Sequence, residues 1–186
     1  SINNPVTYAN TLGYGHVDLT KRINQVGTPL EQGAVFQIYL KSSGSYDASP
    51  ADQRDQISTD ANGHAVSKDL PYGTYCMVQT SAPVGLKIDP TVREYRIGMD
   101  LVGNPVLNQT IYENVINDIT YGRLRIQKTA DIYAEAGAVF QIYPSSSASY
   151  AVAPSDYRDQ ITTDSAGEAT SKLLPYGVYT VHQSVA

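Results

Sequence analysis

Polar and apolar residues alternate with a period of two along several short stretches, as they do in strands that bury one face. In 16–21, Val17, Leu19 and Lys21 fall on one face, with His16, Asp18 and Thr20 on the other. Residues 123–128 repeat the arrangement, setting Leu124, Ile126 and Lys128 against Arg123, Arg125 and Gln127. In 75–79, Tyr75, Met77 and Gln79 share a face, as do Tyr179, Val181 and Gln183 in the later stretch. In 110–114, Tyr112 and Asn114 share a face and Glu113 points away. The apolar face must be the buried one. The pattern therefore aims Lys21, Gln79 and Asn114 at a core and turns Cys76 outward. Asp60-Ala61-Asn62-Gly63, Pro71-Tyr72-Gly73 and their later counterparts predict tight turns. The stretches 44–56 and 148–160 predict loops with a helical turn. Short strands at this spacing predict an all-β sandwich.

The chain repeats itself. Aligning 33–75 with 137–179 gives 28 identities in 43 positions without a gap. Tyr14-Gly15 through Lys21 matches Tyr121-Gly122 through Lys128 at a spacing of 107. Val6-Thr7-Tyr8-Ala9-Asn10 resembles Thr110-Ile111-Tyr112-Glu113-Asn114, and both precede a Tyr-Gly. These echoes predict three parts: 1–13, the last strand of a preceding repeat or a donor strand; 14–120, a complete sandwich; and 121–186, a second repeat lacking its last strand.

Composition narrows the function. The formal net charge is −5 and basic residues do not cluster, so nucleic-acid binding has little electrostatic basis. A single cysteine, Cys76, excludes an internal disulfide and a thiolate zinc site. The three histidines fall at unmatched outward or turn positions, so no metal or other cofactor is expected. No stretch is apolar enough for membrane insertion as a helix. No paired carboxylates or convergent polar pocket mark an enzyme.

Gly-Ala-Val-Phe-Gln-Ile-Tyr, then Thr-Asp-x-x-Gly, then Leu-Pro-Tyr-Gly-x-Tyr, occur twice in that order, and Gln79 to Gly85 follow the first copy. This series resembles the Cna-B-type (collagen-adhesin B, SpaA-like, prealbumin-like) repeat domains of Gram-positive surface adhesins and pilins. The resemblance implies tandem immunoglobulin-like β-sandwiches, extracellular and attached to the cell surface or wall. It also implies a self-formed isopeptide bond, in which a first-strand lysine attacks a last-strand asparagine with help from an inward glutamate. Lys21 matches the lysine and Asn114 the asparagine. Gln79 and Gln183 occupy the assisting-acid position, and glutamine cannot relay a proton at neutral pH. Lys128 is the second lysine, and its partner strand is either residues 1–13 of another copy, which would place Asn10 beside it, or a strand further along a longer tandem array of which 121–186 is a fragment.

The expected role is structural: the stalk or shaft of an adhesin or pilus, whose partners are neighbouring repeats or copies of itself, head to tail. The alternative is a binding module whose loops at 41–56 and 145–160 grip a host extracellular protein or glycan.

Overall fold

A computed structural model describes residues 12–25 and 27–186. The chain folds as two compact units, residues 1–118 and 119–186.

Among its described residues unit 1 has eight strands: β1 (Tyr14–Asn24), β2 (Val35–Leu40), β3 (Arg54–Ser58), β4 (His64–Val66), β5 (Leu70–Pro71), β6 (Gly73–Ser81), β7 (Arg93–Ile97) and β8 (Gln109–Asp118). They form two sheets. One has β1 at its centre, antiparallel to β4 and β5 and parallel to β8. The other runs β3-β2-β6-β7, antiparallel throughout. The predicted turns at 60–63 and 71–73 carry the chain from one sheet to the other. At the first, Asp60 Oδ1 accepts the N–H groups of Asn62 and His64, at 2.8 and 2.9 Å.

The expected inward rows close the sandwich. Val17, Leu19, Ala65, Leu70 and Val115 from one sheet meet Phe36, Ile38, Ile57, Met77 and Ile97 from the other. Tyr75 joins them, fully buried, and its hydroxyl donates to the Pro71 carbonyl at 2.9 Å. Burying side chains of this size stabilises by about 1.5–3 kcal/mol each before conformational entropy is subtracted.

Two expectations about facing are corrected. Cys76 does point away from Met77, but it is buried, because its cross-strand neighbours Tyr39 and Glu94 cover it. On β8 the inward row is Val115 and Asn117, with Tyr112, Asn114 and Ile116 exposed. Period-two alternation gives two faces but not their polarity where both carry apolar residues, and Tyr112 and Ile116 made the outer face look like an inner one.

Unit 2 repeats the plan with β9 (Tyr121–Gly122), β10 (Arg125–Gln127), β11 (Thr129–Ala130), β12 (Tyr133–Ala134), β13 (Val139–Pro144), β14 (Asp159–Thr162), β15 (Glu168–Thr170), β16 (Leu174–Pro175) and β17 (Tyr179–Val185). Its ladders β14-β13-β17, β10-β15 and β16-β9 match those of unit 1. Among the described residues nothing pairs with β17 beyond β13 or with β10 beyond β15, where β7 and β8 stand in unit 1. The core is correspondingly open: Val181 is 43% exposed, while its counterpart Met77 is fully buried.

A buried amine, acid and carboxamide

Three polar side chains lie inside unit 1 almost without solvent contact: Lys21, Glu31 and Asn117. Lys21 ends the inward row of β1. Asn117 lies on β8, two residues beyond Val115, which is the register partner of Lys21. Glu31 lies in the loop before β2, and its N–H donates to the Lys21 carbonyl at 3.0 Å. The Lys21 N–H in turn donates to the Gly63 carbonyl at 2.7 Å. The Thr59 hydroxyl donates to the Glu31 carbonyl at 2.7 Å and accepts the Ala34 N–H at 3.0 Å. Four chain segments thus hold the amine and the acid in one geometry.

Lys21 Nζ stands 3.4 Å from Glu31 Oε2, and Asn117 Nδ2 donates to Glu31 Oε1 at 3.0 Å. Lys21 Nζ, Glu31 Oε2 and Asn117 Oδ1 are buried without a hydrogen-bond partner. Of the three, Nζ and Oε2 still face each other as an ion pair, whereas leaving Asn117 Oδ1 with no partner costs about 1–3 kcal/mol. Burial pushes the Lys21 amine below its usual value, against the opposing pull of Glu31. Burial also pushes Glu31 above the usual carboxylate range, against the pull of Lys21. Both shifts favour the neutral forms, a free amine beside a protonated acid.

The structure brings Lys21 to this site but not Asn114 or Gln79. Asn114 is exposed on the outer face of β8. Gln79 is buried, and both ends of its amide are engaged. Its Nε2 donates to the Ser81 carbonyl at 3.0 Å, and its Oε1 accepts the Asp89 N–H at 3.2 Å. Gln79 therefore fixes the chain that follows β6. There Asp89 pairs with Arg93 at 2.7 Å, and Arg93 Nε lies 3.6 Å from Glu113. Burial pushes the Asp89 carboxyl up, but hydrogen bonds from Thr91 and Arg93 outweigh it and bring it down to about 2. The carboxamide and the acid that meet Lys21 in this structure are Asn117 and Glu31. Both left a trace in the sequence. Glu31 recurs as Glu135, two residues before the repeated Gly-Ala-Val-Phe, and Asn117 stands two residues after Val115 in an alternating stretch where apolar residues also occur at 111 and 119.

Unit 2 carries the same amine and acid. Lys128 Nζ lies 2.8 Å from Glu135 Oε2. Lys128 N–H to Gly167, Glu135 N–H to Lys128 and Thr163 hydroxyl to Glu135 measure 2.8, 3.1 and 2.7 Å, repeating the scaffold of unit 1. No carboxamide completes the trio among the described residues, and the Lys128 and Glu135 side chains are 28% and 21% exposed. Gln183 is half-buried and donates to the Val185 carbonyl at 3.2 Å. Asn10 lies outside the described residues. Among the described residues, no group of three or more His, Cys, Asp or Glu is placed to hold a metal ion. No described helix is long and apolar enough to cross a membrane.

Residues 15–104 match the family model described as SpaA, prealbumin-like fold domain. No curated protein matches the chain. A solved structure of the Bacillus anthracis TIE protein superposes with a TM-score of 0.68 at 24% identity, over 94% of this chain and 29% of that one. A streptococcal ancillary pilin gives 0.44 at 19% identity, over 93% of this chain and 54% of that one. BcpA, the major pilin subunit of Bacillus cereus, gives 0.46 at 20%, over 87% and 53%. The chain spans less than a third of the first of these proteins and about half of the other two.

Proposed function

We propose that this chain, whose residues 15–104 form a prealbumin-like domain of the SpaA type, is a length of the stalk or shaft of a Gram-positive surface protein, and that a Lys21–Asn117 isopeptide bond locks its first sandwich. The observation that carries this reading is the convergence of a buried amine, acid and carboxamide at the join between the first and last strands of unit 1.

The chemistry follows from the pKa directions. The neutral Lys21 amine attacks Asn117 Cγ. Protonated Glu31 donates to the carboxamide oxygen, for which the Asn117 amide turns about its last torsion. Glu31 then takes a proton from the attacking nitrogen and delivers it to the departing amino group. A C–N bond forms, a C–N bond breaks, ammonia leaves, and Glu31 returns to its starting state. The product leaves no buried amine to desolvate, which favours it over the unreacted trio.

The position of the bond suits a load-bearing role. β1 and β8 are parallel and paired from Gly15–Gln109 to Asn24–Asp118. The chain therefore enters at one end of this ladder and leaves at the other, and tension shears it. A bond from Lys21 to Asn117 carries that tension directly and leaves residues 22–116 unloaded.

A host-binding role for the loops at 41–56 and 145–160 has less in its favour. Arg54 lies over the Tyr46 ring and Arg158 over the Tyr150 ring, each 5.0 Å from the centroid. Arg54 also donates to the Tyr46 and Asp47 carbonyls, and Arg158 to those of Tyr150 and Ala151. Identical pinning suits a spacer better than divergent binding tips. Exposure at the cell surface belongs to the same stalk reading.

Intact-mass measurement tests the bond. The folded chain should weigh one ammonia less than its sequence, with a Lys21–Asn117 branched peptide after proteolysis. An unshifted mass with both side chains recovered free refutes the bond.

A further inference from the structure

A second set of charges closes the side of unit 1 beside the buried trio. Arg93, Tyr95 and Ile97 share the inward face of β7, and Tyr95 and Ile97 reach the core. Glu113, Val115 and Asn117 share the inward face of β8. Glu113 is the register partner of Leu19, one inward step from the Lys21–Val115 pair. The Tyr95 hydroxyl donates to Glu113 Oε2 at 2.7 Å, and Arg93 Nε lies 3.6 Å from Glu113 Oε1. Arg93 Nη2 donates to Asp89 Oδ2 at 2.7 Å, and the Thr91 N–H donates to Asp89 Oδ1 at 2.9 Å. The three charged side chains are mostly out of water, at 18% exposure for Arg93, 15% for Asp89 and 24% for Glu113. One guanidinium thus stands between two carboxylates.

The crosslink needs Lys21 to give up its proton inside the sandwich. Burial favours this most strongly, and Glu31 opposes it. Beyond these two, Asp89 holds the proton on and Arg93 drives it off. Asp89, brought down to about 2, is an anion at every pH at which a lysine amine reacts. The other charges on the strands beside Lys21 are engaged elsewhere. Arg22 donates to the Thr28 carbonyl, His64 of β4 pairs with Asp18, and Asp118 of β8 is exposed and accepts from the Asn24 amide. Left bare, the Asp89 charge would keep Lys21 an ammonium, as a nearby carboxylate does for any partly desolvated amine.

We propose that Arg93 is a positioning residue for the Lys21–Asn117 bond, its guanidinium occupying Asp89 and Glu113 so that neither competes with Glu31 for the Lys21 amine. The proposal rests on the reading of Lys21, Glu31 and Asn117 given above. Glu113 and Tyr95 hold the guanidinium on the inward face of β7, and the guanidinium cancels the Asp89 charge. The acid that exchanges protons with the amine and the carboxamide is thereby kept apart from acids that would only trap the amine.

The full chain, recovered unreacted in denaturant and diluted into folding buffers of stepped pH, gives the rate of ammonia loss against pH by mass spectrometry. The limb that rises with pH reports deprotonation of the Lys21–Glu31 pair. Arg93→Gln bares Asp89 and should move this limb to higher pH, slowing the reaction about tenfold along it. Adding Asp89→Asn should bring the limb back. Arg93→Lys, which keeps the charge, should leave it close to that of the wild type. Asp89→Asn alone leaves Arg93 with only Glu113 as counter-ion and should move the limb to lower pH. That variant keeps an acceptor for the Thr91 N–H, so it tests the proposal even where Arg93→Gln does not fold. A rate lowered by the same factor at every pH in Arg93→Gln, or a displaced limb that Asp89→Asn does not restore, makes Arg93 a packing residue and overturns the proposal. An unmoved limb in Asp89→Asn overturns it as well. A wild-type chain that never loses ammonia instead removes the reading beneath it.

Discussion

Glu31 bridges to Lys21 at 3.4 Å and to Asn117 at 3.0 Å, so a single acid touches both the amine and the carboxamide it would join. These contacts cross from a loop to the first and last strands of a sandwich. The predictions below test what that arrangement does.

Asn117→Ala should retain the ammonia and lose the crosslink, whereas Asn114→Ala should change neither, because Asn114 faces solvent. Closing a loop of this length stabilises by about 4–5 kcal/mol on the chain-entropy scale used for disulfides. Urea unfolding of Asn117→Ala should show a loss of that order. Gln79→Ala should leave the mass shift intact and destabilise by about 1–3 kcal/mol, since it strands the Asp89 N–H and the Ser81 carbonyl. A Gln79 variant lacking the crosslink would return that residue to the reactive site.

Glu31→Gln should stop the reaction while keeping the residue's size. The pH dependence of the unreacted site has a definite sign. Burial raises Glu31 in the folded state, so its contribution is present below the unfolded value of 4.5 and is lost as pH rises through the folded value. Relative to Asn117→Ala combined with Glu31→Gln, Asn117→Ala should therefore lose stability as pH rises from 4.5, since Lys21, whose amine is shifted down, is present in both. Equal slopes in denaturant titrations across pH would contradict the assignment.

Gly63 has φ of +63°, and a Cβ there would lie 2.5 Å from the Lys21 carbonyl oxygen and 3.1 Å from the Glu31 nitrogen. Gly63→Ala should destabilise by about 1–3 kcal/mol and slow crosslinking, because it pries apart the segments that hold amine and acid. Gly44 also has positive φ, but nothing lies within 4 Å of its Cβ position. Gly44→Ala should cost about 1 kcal/mol from backbone strain alone and leave the crosslinking rate unchanged. A time course of ammonia loss by mass spectrometry separates the two.

Pulled from its ends, the wild-type first unit should show no unfolding step, because tension passes from Lys21 to Asn117. Lys21→Ala should release the contour length of residues 22–116 in a single step. Single-molecule force spectroscopy reads this directly, and a full-length step in the crosslinked wild type would place the load elsewhere.

The strands, their turns and the duplicated plan were legible in the chain, because period-two alternation and a gapless repeat are local properties. Lys21 was legible as well, since a charged residue ending an apolar row has one reading on a strand whose other face is polar. Asn117 was not, because β8 carries apolar residues on both faces and alternation alone could not choose between Tyr112-Asn114 and Val115-Asn117. Glu31 lies in a loop that has no period. Gln79 was rightly turned inward, but what it bonds depends on the path of the chain after β6.

By itself, the sequence determined an all-β sandwich, its duplication and the inward lysine of each copy, because burying alternate side chains leaves little other choice. The tertiary structure decided which acid and which carboxamide meet that lysine. Those groups come from segments far apart in the chain, and only packing the last strand parallel to the first, over a loop tied down by Thr59 and Gly63, brings them within reach.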